Sequence, residues 1–215
     1  MELNQEDWEY QSDLEQAQGA LKDAGYTYQE EDTEQVGIRY NDDGVGLELR
    51  LVARAYDTDS YQYEETTAVV SYMQEIWESI GFSIKVDFLD ADLFKEAVMS
   101  RQYDLLLVGQ LLGYNLDTYS YWHSTQANPL GQNLSNYKSF QVDSLIENIR
   151  STFDVEEREQ YLNDLAEKLK EDVPAIFLYR PIYYYATDSK VSDLTMDSVV
   201  YSSDRFSTMR SWSFE

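Results

Sequence analysis

The sequence contains no cysteine, a single histidine and three prolines among 215 residues. Without cysteine the chain has no disulfide, no thiolate nucleophile and no thiolate metal ligand. A metal bound by His123 would need carboxylates for all its other bonds, so we expect a hydrogen-bonding, structural histidine and no metal site or cofactor. The lack of cysteine does not identify a compartment, because reduced cytosol and many exported bacterial proteins both permit it.

Basic residues are scarce as well. Sixteen Lys and Arg stand against 41 Asp and Glu, which gives a formal net charge of −25. A surface of this sign repels phosphate backbones and anionic lipid headgroups, so we expect no nucleic-acid partner. We interpret the acidity as a source of solubility or an adaptation to a salty habitat rather than as a device for binding cations.

Long apolar runs and the familiar enzyme motifs are also missing. No stretch approaches the roughly 20 apolar residues that span a bilayer, and the first residues, MELNQEDWEY, do not resemble a signal peptide. We therefore expect either a cytosolic protein or a piece of a longer one. No nucleophile elbow, phosphate-binding glycine loop or dinucleotide fingerprint is present, and the Gly-x-Gly at 44–46 precedes a strand pattern, which predicts a turn.

What the sequence does contain is an alternation of strand and helix patterns. Apolar and polar residues alternate over 47–54 and over 82–88, the two-residue period of a strand. An apolar stripe at helical spacing lies between them and ends at a glycine. The stripe consists of Val69, Met73, Ile76, Ile80 and the closing Gly81. A strand, helix and strand at this spacing predict parallel pairing with a right-handed crossover.

Further elements extend the alternation. We predict helices over 12–24, after Asp92 as the cap, in VDSLIENIRSTF and in EEREQYLNDLAEKLKED, the last with its leucines inward and stopped by Pro174. YDLLLVG is typical of a strand buried on both faces, which would lie at the centre of the sheet. AIFLYRPIYYYAT predicts one or two strand segments in which Pro181 lies at an edge or a bend. The whole pattern predicts one continuous α/β domain over residues 1–215.

The segment GYNLDTYSYWHS, residues 113–124, directly follows the YDLLLVG pattern. Open α/β sheets bind ligands at the carboxyl ends of their strands, so this segment is the first candidate for a site. Its rings and donors would form the wall of a cleft, and its acid would face a ligand cation. The candidates are Tyr114, Asp117, Tyr119, Tyr121 and Trp122. The alternative is that these aromatic residues pack beneath a long loop.

Two other classes of function stay open at this point. A carboxylate-dependent hydrolase would use two of the acids, but close pairs such as Asp90 with Asp92 arise by chance in so acidic a chain and are more typical of solvated helix caps. We therefore expect no catalytic residue. A free-standing interaction domain without a small ligand is the other alternative.

Several stretches together resemble a known family. They are ALKDAGY, ESIGFSIKVDF, YDLLLVG, LDTYSYWHS, NLSNYKSFQVDSLI, DVEEREQYLNDLAEKLKEDVPAIFLYRPIYYY and DRFSTMRSW. In this order, over about residues 14–212, they resemble the C-terminal lobe of the family 5 extracellular solute-binding proteins, the oligopeptide-binding class of ABC importers. The resemblance implies a periplasmic-binding-protein-like (type II) α/β lobe with a mixed sheet flanked by helices.

The resemblance also implies a function. The chain would belong to the substrate-binding component of an ABC importer, which captures an extracellular peptide or similar solute and presents it to the ABC permease subunits, and it would not be an enzyme. The full-length protein would be extracellular, as a membrane-anchored lipoprotein or a periplasmic protein. The N-terminal lobe and the signal would then be missing here, with Met1 as an added start.

Peptide-binding members of the family place an Asp, which pairs with the α-ammonium of the peptide, three residues before the acid of an Asp-Pro step. That acid corresponds to Asp117, which Thr118 follows in place of proline, and the position three residues earlier is Tyr114. Either Asp117 takes the role from a shifted position, or the ligand is a sugar or a metal chelate instead of a free peptide. The NLSNY segment resembles the loop that closes over the ligand, which adds Asn133 and Tyr137 to the candidates; a turn-forming Asn and a packing Tyr are the alternative.

Overall fold

The computed structural model describes residues 14–29, 37–196 and 199–214. Contacts within the chain separate it into two compact units, Met1–Gly109 and Gln110–Glu215. Each unit has an apolar core of its own. The single continuous domain expected from the sequence stays a prediction. None of the described helices is both long and apolar enough to cross a bilayer.

The described part of the first unit contains three helices: α1 (Leu14–Asp23), α2 (Tyr61–Ser79) and α3 (Ala91–Ser100). Left-handed glycines follow the first two, Gly25 at φ 86° and Gly81 at φ 103°, as the sequence predicts. Residues 12 and 13, where the first helix was expected to begin, lie outside the described residues.

A parallel sheet forms the centre of the first unit. Strand β1 (Glu48–Arg54) pairs along its whole length with β2 (Ser83–Leu89) and at two positions with β3 (Leu105–Leu106), which gives the order β2-β1-β3. The parallel strand–helix–strand unit predicted from the hydrophobic periods is therefore confirmed. The Gly-x-Gly turn before β1 is also confirmed, with Gly44 at φ 76°.

The core of the first unit lies between α2 and the sheet. Val70 is buried, and Met73 and Trp77 pack against the same cluster. Met73 and Ile80 of the predicted stripe lie inward, whereas Val70 and Trp77 take the places expected for Val69 and Ile76. Because the two faces share two positions, the error turns the predicted face by less than the roughly 100° that one residue spans, and the helix is identified correctly.

Two expectations for the first unit are wrong in detail. Helix α3 is capped by Asp90, whose carboxylate accepts hydrogen bonds from the main-chain N–H groups of Asp92 and Leu93, so Asp92 is not the cap. The YDLLLVG strand is not central: β3 is half-buried and pairs on one side only among the described residues. The buried central strand is β1, because its apolar residues at 51–53 face both sides of the sheet.

The second unit is mainly helical. It contains the single turn α4 (Tyr119–Trp122) and the packed helices α5 (Phe140–Ser151) and α6 (Val155–Asp172). Leu165 and Leu169 of α6 face its core, as predicted, and α6 ends at Asp172, just before Pro174. The core residues are Trp122, Val142, Ile146, Ile149, Leu165 and Leu169.

The strand prediction for AIFLYRPIYYYAT is wrong for the described chain. Residues 175–187 form no strand, and the antiparallel pair described in this unit joins β4 (Val191–Ser192) to β5 (Ser213–Phe214). Aromatic and branched residues favour strands, but a strand also needs a neighbour with which to exchange main-chain hydrogen bonds.

Candidate functional site

The seven predicted site residues all lie in the second unit, in residues 113–137, which we call the candidate loop. Its regular structure consists of α4 and a 3₁₀ turn at Ser124–Gln126. Most of the main-chain hydrogen bonds of the loop lie within its own turns, so they do little by themselves to fix one turn to the next. Side chains make those links here, and they determine which groups face solvent.

Asn133 is completely buried at the base of the candidate loop. Its amide nitrogen donates to the carbonyl oxygens of His123 (3.2 Å) and Tyr137 (2.8 Å), and its amide oxygen accepts from the N–H of Tyr137 at 3.1 Å. One side chain thus joins two stretches of the loop. In this arrangement Asn133 has no surface to offer a ligand and stabilises the loop from within.

Trp122 anchors the candidate loop to the helices. Only 4% of it is exposed, and it belongs to the core with Val142 and Ile146. Its ring meets the ring of Phe177 edge to face at 5.9 Å. Of the two interpretations that the sequence allowed, a ring in the wall of a cleft or a ring packed beneath a long loop, the second describes Trp122.

His123 is 5% exposed and hydrogen-bonded, in agreement with the structural role expected for it. Its Nδ1 accepts from the main-chain N–H of Thr125 at 3.2 Å and lies 2.9 Å from the hydroxyl of the same residue. Its Nε2 has no hydrogen bond and lies 3.5 Å from a carboxylate oxygen of Glu147. Within the described residues, no group of three or more His, Asp or Glu is placed to hold a metal ion.

Asp117 is half-buried and already has partners inside the second unit. Its Oδ1 accepts from the main-chain N–H of Tyr119 at 3.1 Å, and its Oδ2 lies 3.5 Å from Nε of Arg150. The guanidinium carbon of Arg150 also lies 4.4 Å from the centre of the Tyr119 ring. Because the positive charge of Arg150 partly offsets the negative charge of this carboxylate, Asp117 attracts a ligand cation less strongly than an unpaired carboxylate would.

Tyr114 is 64% exposed and donates a hydrogen bond to Asp204. That hydrogen bond raises the pKa of Tyr114 to about 12. The same bond, followed by main-chain hydrogen bonds from Tyr201 and Val200, lowers the pKa of Asp204. At the position where the resemblance implied an acid, Tyr114 thus has its hydroxyl bonded to an acid from elsewhere in the chain. Sequence reasoning missed Asp204, because no local pattern links residues 90 positions apart.

The other three tyrosines are half-buried and use their hydroxyls within the protein. Tyr121 donates to the carbonyl oxygen of Leu111 at 2.9 Å, Tyr119 lies 3.0 Å from the hydroxyl of Thr125, and Tyr137 donates to Asp172. Burial, and then the bond to Asp172, raises the pKa of Tyr137. What these residues expose is therefore mainly ring surface.

A separate cavity of about 210 Å³ lies in the first unit and contains none of the predicted site residues. It is lined by Glu48, Leu49, Arg50, Ser83, Lys85 and Asp104. The positive charge of Arg50 is paired with Asp87 at 2.6 Å, and its guanidinium also donates to the carbonyl oxygen of Gln102. The cavity is at the amino-terminal ends of β1 and β2, opposite to the ends where ligands of open sheets bind.

Comparison with known proteins supports the resemblance seen in the sequence. The profile of "Bacterial extracellular solute-binding proteins, family 5 Middle" matches residues 2–132. The oligopeptide-binding protein AppA of Bacillus subtilis is 26% identical over 185 residues, which cover 81% of this chain and 32% of AppA. The chain thus spans about a third of the length of this curated relative.

Solved structures share the fold. AppA of Bacillus subtilis in complex with a nonapeptide has a TM-score of 0.71 at 24% identity, and the match covers 94% of this chain and 37% of the AppA chain. NikZ of Campylobacter jejuni in complex with Ni(L-His) has a TM-score of 0.66 at 22% identity, and the match covers 94% of this chain and 39% of the NikZ chain. A mannohexaose-bound oligopeptide-binding protein of Thermotoga maritima has a TM-score of 0.65 at 17% identity, and the match covers 84% of this chain and 33% of the Thermotoga chain.

These proteins are solute-binding proteins of the type II periplasmic-binding-protein fold, and the α/β architecture described above agrees with them. The profile match extends over more than half of the chain. The chain therefore belongs to the bacterial extracellular solute-binding proteins of family 5.

Proposed function

We propose that this chain is the C-terminal lobe of the substrate-binding component of an ABC importer, which captures an extracellular peptide or a similar solute. Its membership of the family supports this, as does the oligopeptide-binding name of its relative AppA. The N-terminal lobe would complete the cleft, and ABC permease subunits would receive the ligand. The full-length protein would be extracellular, either as a membrane-anchored lipoprotein or in the periplasm.

The observation that carries the proposal is the construction of the candidate loop. Buried side chains, Asn133 and Trp122, fix it to the core, while Tyr114 and part of Asp117 remain at the surface. A binding surface that is already ordered loses less conformational entropy when a ligand arrives. Fixed backbone beneath exposed rings and polar groups is the expected composition of a binding wall.

Within this proposal the predicted site residues divide by role. Tyr114 and Asp117 would contact the ligand through polar groups, and the half-buried Tyr119, Tyr121 and Tyr137 through ring surface. The remaining two, Trp122 and Asn133, would act indirectly by holding the loop in position, since they are buried.

The chemical class of the ligand is the open part of the proposal. Relatives of the same fold were solved with a nonapeptide, with Ni(L-His) and with mannohexaose, so the fold accommodates very different solutes. The pairing of Asp117 with Arg150 weakens the case for an ammonium anchor at that position and favours ligands that use hydroxyl and ring contacts.

The test uses the full-length protein, purified without refolding. Native mass spectrometry should show a retained solute, and calorimetry should show binding of one of four probes: a nonapeptide, its N-acetylated form, mannohexaose or Ni(L-His). Tyr114→Ala and Asp117→Asn should weaken binding at least about tenfold, since each removes a direct contact worth about 1.4 kcal/mol.

The matched control is Asp42→Asn, which makes the same chemical change at an exposed acid in the first unit. It should leave affinity unchanged. Absence of both a retained solute and binding of any probe would contradict the proposed function. Unchanged affinity in both loop variants would move the site away from the candidate loop.

A further inference from the structure

Three side chains of the candidate loop form a chain of hydrogen bonds that leads from a buried ring to the surface. The Oγ1 atom of Thr125 lies 2.9 Å from Nδ1 of His123 and 3.0 Å from the hydroxyl oxygen of Tyr119. His123 is buried, Tyr119 is half-buried and Thr125 is exposed. A threonine hydroxyl has one proton, so it can donate to only one of its two neighbours at a time. The chain of hydrogen bonds therefore has a direction.

The backbone of Thr125 determines this direction when the imidazole is neutral. Its main-chain N–H, which can only donate, bonds to Nδ1 of His123 at 3.2 Å. Nδ1 therefore carries a lone pair, and the proton of the neutral ring lies on Nε2. The Thr125 hydroxyl can then only donate to Nδ1, and the Tyr119 hydroxyl donates to Thr125. In this state the phenol oxygen of Tyr119 has lone pairs, but no proton, left for a ligand.

A second proton on the imidazole binds at Nδ1 and reverses the direction. Nδ1 of His123 then donates to the hydroxyl oxygen of Thr125, and the Thr125 proton turns to the hydroxyl oxygen of Tyr119. The proton of Tyr119 is released from Thr125 and becomes available to a ligand. One proton has been added at Nδ1 and none has moved between residues, because rotation of two hydroxyls is sufficient. The main-chain N–H of Thr125 gives up its bond to Nδ1.

Carboxylates of α5 compensate for the bond that is lost when the ring is charged. A carboxylate oxygen of Glu147 lies 3.5 Å from Nε2 of His123, which has no hydrogen bond within the described chain, and the Glu147 side chain is 70% exposed, so it can move closer. Asp143 lies 3.8 Å from Nδ1. The cation near this ring is Arg150, whose guanidinium carbon lies 4.4 Å from the centre of the Tyr119 ring that stacks on the imidazole. Since histidine is the side chain that changes charge near neutral pH, both directions are accessible.

We propose that His123 is a positioning residue whose charge determines whether the hydroxyl of Tyr119 accepts a hydrogen bond from a ligand or donates one to it. With a neutral ring, the hydroxyl accepts from N–H or O–H groups of the ligand. With a charged ring, it donates to carbonyl or carboxylate oxygens. The inference rests on the proposed function in one respect, that the candidate loop contacts a solute. It predicts that the choice of solute depends on pH, although the buried His123 touches no ligand.

The first test needs no ligand. In the full-length protein with ¹⁵N-labelled histidine, long-range ¹H–¹⁵N NMR spectra show which ring nitrogen carries a proton, and the spectrum of His123→Gln assigns the signal. We expect a proton on Nε2 alone at about pH 8 and on both nitrogens at about pH 5. A neutral ring with its proton on Nδ1 would overturn the proposal. A ring whose protonation is the same at both pH values would overturn it as well.

Variants of the middle of the chain test its contacts in the same spectra. Thr125→Val keeps the size of the side chain but removes the acceptor of Nδ1–H, so the midpoint of the His123 titration should fall by at least about 0.5 pH unit. Thr125→Ser keeps the hydroxyl and should resemble wild type. Glu147→Gln should lower the midpoint by a similar amount, whereas Glu167→Gln, the same change on the exposed side of α6, should not. An unchanged midpoint in Thr125→Val would contradict the proposed chain of hydrogen bonds.

The second test measures what the ligand experiences. Calorimetry with the nonapeptide gives the loss of affinity caused by Tyr119→Phe, which should differ at least about threefold between about pH 8 and about pH 5.5, because each main-chain group of a peptide is fixed as a donor or an acceptor. In a Thr125→Val background the loss should be the same at both pH values. General effects of pH cancel, since each loss compares two variants at one pH. Equal losses in the wild-type background would overturn the proposal.

The two proposals fail separately. Failure of every probe to bind would contradict the proposed function, and the NMR spectra, recorded without solute, would still decide whether His123 sets the direction of the chain. Normal binding with the neutral-ring proton on Nδ1 would leave the proposed function intact and remove the role of His123.

Discussion

Strand β1 and the candidate loop are both buried in part, but their main-chain N–H and C=O groups find hydrogen-bond partners in different ways. β1 exchanges main-chain hydrogen bonds with strands on both sides, so its buried side chains at 51–53 are all apolar. The candidate loop makes main-chain hydrogen bonds within its own turns, and the buried polar side chains of Asn133 and His123 bond to its backbone as well. Irregular backbone can be held firmly where polar side chains take the place of a sheet, and this leaves other groups of the loop at the surface for binding.

The largest effect that separates the two regions should come from Leu51→Ala in β1. Leu51 is 1% exposed and belongs to the core of the first unit, so its truncation leaves a cavity. We expect the free energy of unfolding, measured with urea, to fall by about 3 kcal/mol. Leu93→Ala is the matched control, because Leu93 is 51% exposed and should cost much less. Equal losses at both positions would contradict the buried position of β1.

Asn133→Leu should show that the candidate loop depends on polar contacts. Leucine has a similar size but leaves the buried carbonyl oxygens of His123 and Tyr137 without their donor. We expect a loss of about 2 kcal/mol in the free energy of unfolding, together with weaker ligand binding. The control is Asn163→Leu, the same change on the exposed side of α6, which should stay within about 0.5 kcal/mol. A neutral or stabilising result at 133 would mean that the loop does not need this amide.

The comparison also explains which parts of the structure could be predicted from sequence. β1, α2 and β2 were found because their hydrophobic periods and closing glycines are local signals. The edge position of β3 was missed, since a run of leucines shows burial but not the order of strands. The contacts of Tyr114 with Asp204 and of Tyr137 with Asp172 join residues 90 and 35 positions apart. Such pairs depend on the tertiary fold, so the sequence could identify the loop but not the partners that orient it.

Acid should weaken a contact of the candidate loop, the hydrogen bond of Tyr137 to Asp172. Hydrogen bonds from Lys168 and then Tyr137 lower the pKa of Asp172. A lowered carboxyl pKa stabilises the folded state above the unfolded value of about 3.9, and this contribution is lost as the pH falls through the lower folded value. Asp172→Asn should therefore reduce the free energy of unfolding at pH 7, and its difference from wild type should shrink below about pH 4. Urea unfolding between pH 7 and pH 2 measures this, and a difference that is the same at every pH would contradict it.

The smallest effect on stability, and the most informative for function, is expected from Arg150→Gln. The side chain of Arg150 is about half exposed, so losing its 3.5 Å contact with Asp117 should change the free energy of unfolding by less than about 1 kcal/mol. The variant frees the Asp117 carboxylate, which should strengthen binding of the nonapeptide with a free amino terminus by up to about fivefold and leave mannohexaose unchanged. Arg150→Lys keeps the positive charge and should resemble wild type. The gain should fade in 1 M salt if it is electrostatic. Equal effects on the free and the N-acetylated peptide would show that Asp117 does not face a ligand cation, and the polar contact of the candidate loop would then fall to Tyr114.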